Sequence, residues 1–419
     1  MGKPVYQKVR GMHDILPDAS HRWEAVEAAY REVVGLYNYR EIRNPLLEDT
    51  GLFQRSIGDD TDIVGKEMYS FTDAGGDELT LRPEGTAGVV RAYVEHSIAA
   101  VEAVTKCYYI GPMFRRERPQ KGRYRQFHQA GAEIFGAPPP VVDAEQVVML
   151  AEFLDRIGLG GAVVLFNHLG SGETRRRYRQ LLSEHYGARR SELCTDCVRR
   201  LETNPLRLLD CKVESCAKMK GDAPKMREIL DGADLSLLER FRSLLHAAGV
   251  EAREDDRLVR GLDYYTGIVY EVEVEAERGS VVVAGGGRYD DLVAGLGGSE
   301  TPAAGFAIGL ERVLDCLPES PPASVDLFVL VPSPEAEATA ASLLLEARRA
   351  GLRADLDPRA GSMKAQMKRA NKLGSAYVLI LGQKELEAGT VAVKDMREGG
   401  QVDVDVAAAV KHVLERLGR

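Results

Sequence analysis

Between positions 126 and 136 the chain alternates in a way that a β-strand accommodates and a helix does not. Phe127, Gln129, Gly131, Glu133 and Phe135 fall on one face, and His128, Ala130, Ala132 and Ile134 on the other. The second face is mostly small and apolar, suited to a covering helix. The first sets an amide and a carboxylate between two aromatics, with a glycine clearing space. Burying Gln129 and Glu133 without partners would cost several kcal/mol, so this face either meets something polar or looks onto solvent. Residues 105–117 read as the neighbouring strand. The connecting loop sets Arg115, Arg116, Arg118, Lys121, Arg123 and Arg125 against Glu117 alone. Arg115, at its strand's end, can lay a planar fork of donors over the polar face, a natural grip for phosphate.

The surroundings of this hairpin predict the architecture. Trp23, Val26, Tyr30, Val33 and Tyr37 recur at helical steps and predict a helix over 20–37, capped by Asp18 or Ser20. Residues 41–45 read as a strand that its proline confines to an edge or an end. Further strands are expected at 267–275 and 280–284, leading into a glycine-rich bend at 285–287. Another, at 303–308, runs straight into a helix over 309–317. Hairpins followed by separate helices predict an α+β fold around an antiparallel sheet.

A chain of 419 residues has room for two or three domains. The Pro-Glu-Ser-Pro-Pro-Ala-Ser stretch at 318–324 has stiff-linker composition and marks the best boundary. This divides a first domain, 1–322, from a second, 325–419. The second alternates strands (327–331, 376–381, 390–395) with helices (334–350, 363–373, 407–417), a small α/β pattern. Within the first, about 172–253 is charged and helix-prone and reads as an insertion.

Net charge is −9, so a global basic footprint is absent. The C-terminal part carries 14 basic and 13 acidic residues, net +1, which leaves −10 for the rest. No apolar run approaches the roughly 18 residues of a membrane span, and no apolar segment follows the first residues as in a signal peptide. A soluble, cytoplasmic protein is expected.

Three more clusters stand out: Arg260-Gly-Leu-Asp-Tyr-Tyr-Thr-Gly267, Gly285-Gly-Gly-Arg-Tyr-Asp-Asp291 and Gly305-Phe-Ala-Ile-Gly-Leu-Glu-Arg312. In the last, Arg312 occupies the first turn of a helix abutting a strand and can reach across a sheet. Together these segments resemble a known family. Arg115 with the loop to Glu133, Gly305 to Arg312, and the helix from Ser20 with Pro45 are similar to motifs 2, 3 and 1 of the class II aminoacyl-tRNA synthetases. Leu258 to Gly267 and Gly285 to Asp290 resemble the two signatures of the histidyl-tRNA synthetases. Arg10-Gly-Met-His-Asp14, Leu81-Arg-Pro-Glu-Gly-Thr86 and Phe114-Arg-Arg-Glu-Arg-Pro119 match the same family, so the resemblance spans nearly the whole chain.

The resemblance implies a class II antiparallel sheet with flanking helices, a helical insertion over the tRNA acceptor stem, and a C-terminal α/β anticodon-binding domain. It implies ligation of L-histidine to tRNA(His) with Mg2+ and ATP, through a histidyl-adenylate, in a homodimer. Glu84 and Gln129 would hold the histidine ammonium, Glu133 and Tyr265 the imidazole, and Tyr264 and Tyr289 would line the pocket. Arg115 would grip the α-phosphate, Arg312 the γ-phosphate, and Phe127 would stack on adenine, with Glu117 and Arg123 completing the ATP site. Arg260 would bridge the histidine carboxylate and the α-phosphate. The related regulatory subunit of histidine biosynthesis typically lacks the anticodon domain and the Arg260 signature, and this chain has both. A nucleic-acid-binding module descended from a synthetase is opposed by the intact Arg115, Glu133, Arg260 and Arg312.

Two features stand apart from that catalysis. Lys364, Lys368 and Lys372 recur at four-residue spacing, one basic helix face suited either to tRNA phosphates or to solvent. Cys194, Cys197, Cys211 and Cys216 have the spacing of a structural zinc site of four thiolates, or are four separate thiols in a helical insertion.

Overall fold

The computed structural model describes residues 5–58, 61–119, 122–170, 172–277, 279–321, 324–359 and 361–419. Residues 1–4, Lys121 of the basic loop and positions 322 and 323 of the linker lie outside them. The chain forms two compact units, Met1–Ser320 and Pro321–Arg419.

The first unit opens with α1 (Pro17–Leu36) and a short strand β1 (Arg40–Glu41). A small sheet follows, β2 (Leu47–Asp49), β3 (Tyr69–Thr72) and β4 (Glu78–Leu81), with α2 (Thr50–Ile57) inside it and α3 (Thr86–Glu95) after it. Then come β5 (Thr105–Phe114), β6 (Gln126–Phe135), α4 (Val141–Arg156) and β7 (Val163–His168). Four helices, α5 (Gly172–Gly187), α6 (Thr195–Thr203), α7 (Glu214–Met219) and α8 (Gly232–Ala247), lead to β8 (Glu251–Glu254). The unit closes with β9 (Thr266–Ala276), β10 (Gly279–Arg288), α9 (Leu292–Gly295), β11 (Ala303–Gly309) and α10 (Leu310–Cys316).

Eight strands join in the order β1-β5-β6-β11-β10-β9-β7-β8. Pairing is antiparallel through the middle and parallel at the two edges, β1 with β5 and β7 with β8. The helical stretch is therefore a long crossover between two sheet strands, and positions 251–253, read from the sequence as insertion, are sheet. Likewise the strand expected at 41–45 shrinks to Arg40–Glu41, because Pro45 has no N–H to continue the ladder. The glycines at 285–287 do not make a bend: all three lie inside β10.

The alternation of β6 is realised. Ala130 and Ala132 pack into the core with Val26, Tyr30 and Val33 of α1, and Trp23 meets His128 edge-on at 4.9 Å. On the opposite face Phe135 stacks on Tyr93 of α3 at 4.3 Å, and Glu133 is fully buried. Helices α1, α4 and α10 thus take the apolar face, leaving the other for chemistry.

The second unit carries β12 (Leu327–Leu330), α11 (Glu337–Arg349), β13 (Ala354–Leu356), α12 (Met363–Lys372), β14 (Tyr377–Ile380), α13 (Gln383–Ala388), β15 (Thr390–Asp395), β16 (Gln401–Asp405) and α14 (Ala409–Leu417). Its sheet runs β13-β12-β14-β15-β16, parallel across the first three strands. Leu327 and Val329 face α11 and α14, while Phe328 and Leu330 face α12. Burial on both sides explains why β12 is an unbroken apolar run.

Candidate active site

The polar face of β6 lies against the residues that follow β4. Thr86 Oγ1 donates to Glu133 Oε1 at 2.7 Å, and the Tyr289 hydroxyl donates to Glu133 Oε2 at 2.5 Å. Gly305 is register partner to Glu133 on β11, and a side chain there would occupy the carboxylate's own space. Burial pushes the Glu133 carboxyl up to about 8. Glu84 receives the backbone N–H groups of Thr86 and Ala87 at 2.6 and 2.8 Å, so it sits at the N-terminus of α3, and burial raises its pKa as well. Gln129 Oε1 is buried with no hydrogen-bond partner among the described residues. An amide oxygen left so is a place for an incoming donor.

The loop before β9 closes this end. Tyr264 packs against Tyr265 at 4.7 Å and against Tyr289 at 5.6 Å, and all three are buried. Arg260 lies over the Tyr265 ring at 5.7 Å and pairs with Glu271 of β9. Gly285 supplies the room: a side chain there would collide with the Arg260 guanidinium.

At the other end stand three further arginines. Arg115 donates to the Pro83 carbonyl at 2.8 Å and lies 5.3 Å from the Phe127 ring. Arg312 donates to the carbonyls of Val282 and Gly122 at 3.1 and 3.4 Å; burial and the nearby Arg123 lower its pKa. Arg123 pairs with Glu117 at 3.2 Å. A cavity of about 800 Å³ opens beside Arg123 and Arg312. Two other cations of the basic loop are spent on structure, Arg116 on the Lys66 carbonyl and Arg125 on those of Glu117 and Arg10.

The fold brings all these residues to one sheet face. Tyr289 differs from the sequence expectation: it donates directly to Glu133, beyond merely lining a wall. Sequence reasoning also passed over Thr86, although it stands in a quoted motif, and Tyr109. The Tyr109 ring fills the space over Gly85 and Gly131. Its one signal was register, since Tyr109 lies directly opposite Gly131 on β5.

Elsewhere, the sulfurs of Cys194, Cys197, Cys211 and Cys216 all lie within 4.8 Å of one another, with Cys194 and Cys211 at 3.9 Å. Four thiolates around one zinc ion sit about 3.8 Å apart when each Zn–S bond is about 2.3 Å. Three of the four are buried. Lys364, Lys368 and Lys372 are exposed on α12, whose opposite side buries Gln366 and Ala370. Among the described residues no helix is long and apolar enough to cross a membrane.

An antiparallel sheet bearing an arginine at the end of one strand, a second arginine on the helix after another, and a carboxylate between them is the class II aminoacyl-tRNA synthetase architecture. Residues 11–313 match the family model for histidyl-tRNA synthetase, and 326–416 that for the anticodon-binding domain. A histidine–tRNA ligase of Sorangium cellulosum is 48% identical over 97% of this chain and 96% of its own length. One from Desulforudis audaxviator is 46% identical over 99% of both. The crystal structure of apo S. aureus histidyl-tRNA synthetase superposes with a TM-score of 0.82 at 34% identity, covering 98% of this chain and 100% of that one. The chain belongs to the histidyl-tRNA synthetase family.

Proposed function

We propose that this sheet face binds L-histidine and Mg2+-ATP side by side, joins them as histidyl-adenylate, and passes the histidyl group to tRNA(His). A histidine carboxylate oxygen attacks the α-phosphorus, and pyrophosphate leaves. A hydroxyl of the terminal adenosine of tRNA then attacks the histidyl carbonyl, and AMP leaves. The carboxylate is already a nucleophile, so activation needs alignment and charge stabilisation more than a general base.

The observation that carries this reading is the buried Glu133, set between two hydroxyls, on the same strand face as a Gln129 oxygen without a partner among the described residues. Each carboxylate oxygen has a second lone pair, so Glu133 can still accept an imidazole N–H, with the Tyr265 phenol at the other ring nitrogen. Such matching rejects isosteres lacking the nitrogens. Gln129 and Glu84 take the ammonium, while Tyr264 and Tyr289 enclose the ring. Arg115 holds the α-phosphate, Arg312 the γ-phosphate, Phe127 stacks on adenine, and Glu117 with Arg123 flank the nucleotide. Arg260 lies between the two substrates. Mg2+ arrives with ATP as counter-ion to its phosphates.

Lys364, Lys368 and Lys372 contact tRNA phosphates from the second unit. The protein works as a cytoplasmic homodimer built on the helix from Ser20 and the strand near Pro45; Leu36 at the end of α1, Leu46 and Leu47 just after Pro45, and Phe71 of β3 are exposed. The four clustered thiols hold a structural zinc ion. Histidine-dependent ATP–pyrophosphate exchange, followed by charging of tRNA(His), tests the reaction; a folded protein that does neither refutes it. Sedimentation at micromolar concentration tests the dimer, and a fully active monomer would exclude it.

A further inference from the structure

Behind the loop that carries Arg260, Tyr264 and Tyr265, the insertion makes contacts that touch neither substrate. Between β8 and the start of β9 the chain is irregular, so its carbonyls need donors from elsewhere. Arg207 donates to the Gly261 carbonyl at 2.9 Å, and Asn204 Nδ2 to Asp263 Oδ1 at 2.6 Å. Arg175 donates to the Asp263 carbonyl at 3.1 Å. A cavity of about 590 Å³ lies among Arg175, Asn204, Asp263 and Arg288. The loop is thus held by directed hydrogen bonds at its back as well as by the packing of Leu258, Tyr264 and Tyr265.

The two donors from the middle of the insertion share a place in the sequence. Asn204 and Arg207 both fall within the 13 residues between Cys197 and Cys211. Asn204 follows the last turn of α6, whose N-cap is Cys194 and whose first turn holds Cys197. Arg207 lies on the single turn Pro205–Leu208, four residues before Cys211. Closing the four sulfurs on one ion pins both ends of this segment. Without it, the segment keeps the core burial of Leu201, Leu206, Leu208 and Leu209 but loses the tie at its two ends. The same segment reaches Asp62, which Arg200 meets at 2.5 Å and Arg207 at 3.5 Å.

We infer that the metal-loaded thiol cluster sets the histidine side of the active site from behind, with Asn204 and Arg207 as positioning residues that hold Asp263 and Gly261. This rests on the assignment of Arg260, Tyr264 and Tyr265 to histidine and of zinc to the cluster. The test uses the full-length enzyme and its Asn204→Ala and Arg207→Met variants, with zinc measured by mass spectrometry and histidine and ATP dependence by pyrophosphate exchange. All three should carry about one zinc per chain, while both variants raise the histidine KM about tenfold or more and change the ATP KM about twofold or less. Exchanging the pair, Asn204→Asp with Asp263→Asn, keeps one hydrogen bond between the two positions and should restore most of the loss. Stripping zinc from the unmodified enzyme should reproduce the histidine-side defect, and adding zinc back should reverse it.

A normal histidine KM in Asn204→Ala, or a loss shared equally by ATP, overturns the clamp. A zinc-free enzyme with normal histidine KM overturns the metal's part in it. Failure of the underlying assignment looks different: Arg260→Ala and Tyr265→Phe would then leave histidine activation untouched.

Discussion

The two ends of the catalytic face hold their charges in opposite ways. At the Glu133 end the carboxylates are satisfied from within, by the hydroxyls of Thr86 and Tyr289 and by the first N–H groups of α3. At the end proposed for the phosphates Arg115 and Arg312 rest on neutral carbonyls of Pro83, Val282 and Gly122. A carbonyl fixes a guanidinium without cancelling its charge, which stays available to an anion. A carboxylate already hydrogen-bonded once on each oxygen instead offers fixed geometry and one lone pair to spare, which a planar ring with two nitrogens requires. The proposed function thereby puts selectivity and charge stabilisation at different ends of one sheet. Arg260, over the Tyr265 ring, follows neither pattern, since it pairs with Glu271.

Arg260 therefore gives the sharpest way to break the comparison. Arg260→Ala should slow histidine activation by roughly 10²–10³, the typical effect of removing one preorganised donor, about 3–4 kcal/mol, with little change in ATP affinity. Arg260→Lys should recover only part, because an ammonium cannot fork between two oxyanions. Single-turnover rates decide this, and a near-normal Arg260→Ala rate at saturating substrates would remove Arg260 from the mechanism. Glu133→Gln should instead act on recognition. Above about pH 8, where the carboxylate is charged, losing that acceptor costs roughly 1–3 kcal/mol, or about 5- to 150-fold in histidine KM, while the ATP KM stays close to normal.

The pH dependence sharpens the same contrast. Glu133 titrates near 8 in the fold against its ordinary 4.5, so the folded protein holds a proton that the unfolded chain releases between those values. Its contribution to stability is complete below about 4.5 and is lost as pH rises through about 8. Histidine affinity should improve over the same upper range, as the carboxylate forms and becomes a full acceptor. Melting and KM profiles of Glu133→Gln should lack both changes; an unaltered profile would assign the titration to another group. The smallest effect is expected in the second unit. Replacing Lys364, Lys368 and Lys372 with Ala should leave pyrophosphate exchange unchanged, weaken tRNA binding a few-fold, and reduce the salt slope by about one for each phosphate that is no longer neutralised. A triple variant that charges tRNA with its normal salt dependence would return that helix face to solvent.

What could be read in advance follows from the range of the interaction. The β5–β6 hairpin, the helix before β1 and the apolar strand β12 were legible because side-chain period is local and each buries a defined face. The strands β7 and β8 were missed. They are short, lie on either side of the helical crossover, and become strands only through distant partners, β7 against β9 and β8 against β7 at the sheet edge. The glycines at 285–287 were misread for a related reason. Three glycines suggest a turn when seen alone, whereas in the sheet they clear space for Arg260 of the loop before β9 and for Phe306 and Tyr270 of the flanking strands.

By itself the sequence determined the class of fold, the family and the inventory of charged and aromatic groups, since motifs are runs of neighbouring residues whose chemistry travels with them. Only the tertiary structure decided how those groups are spent. It sets Tyr289 on Glu133, occupies Glu84 with a helix terminus and pairs Arg260 with Glu271. It also gathers four sulfurs from a 23-residue span and ties that span to the loop at 260–265. Those choices depend on strand register and burial, which bring together positions as far apart as Gly122 and Arg312, 190 residues, and which no local pattern encodes.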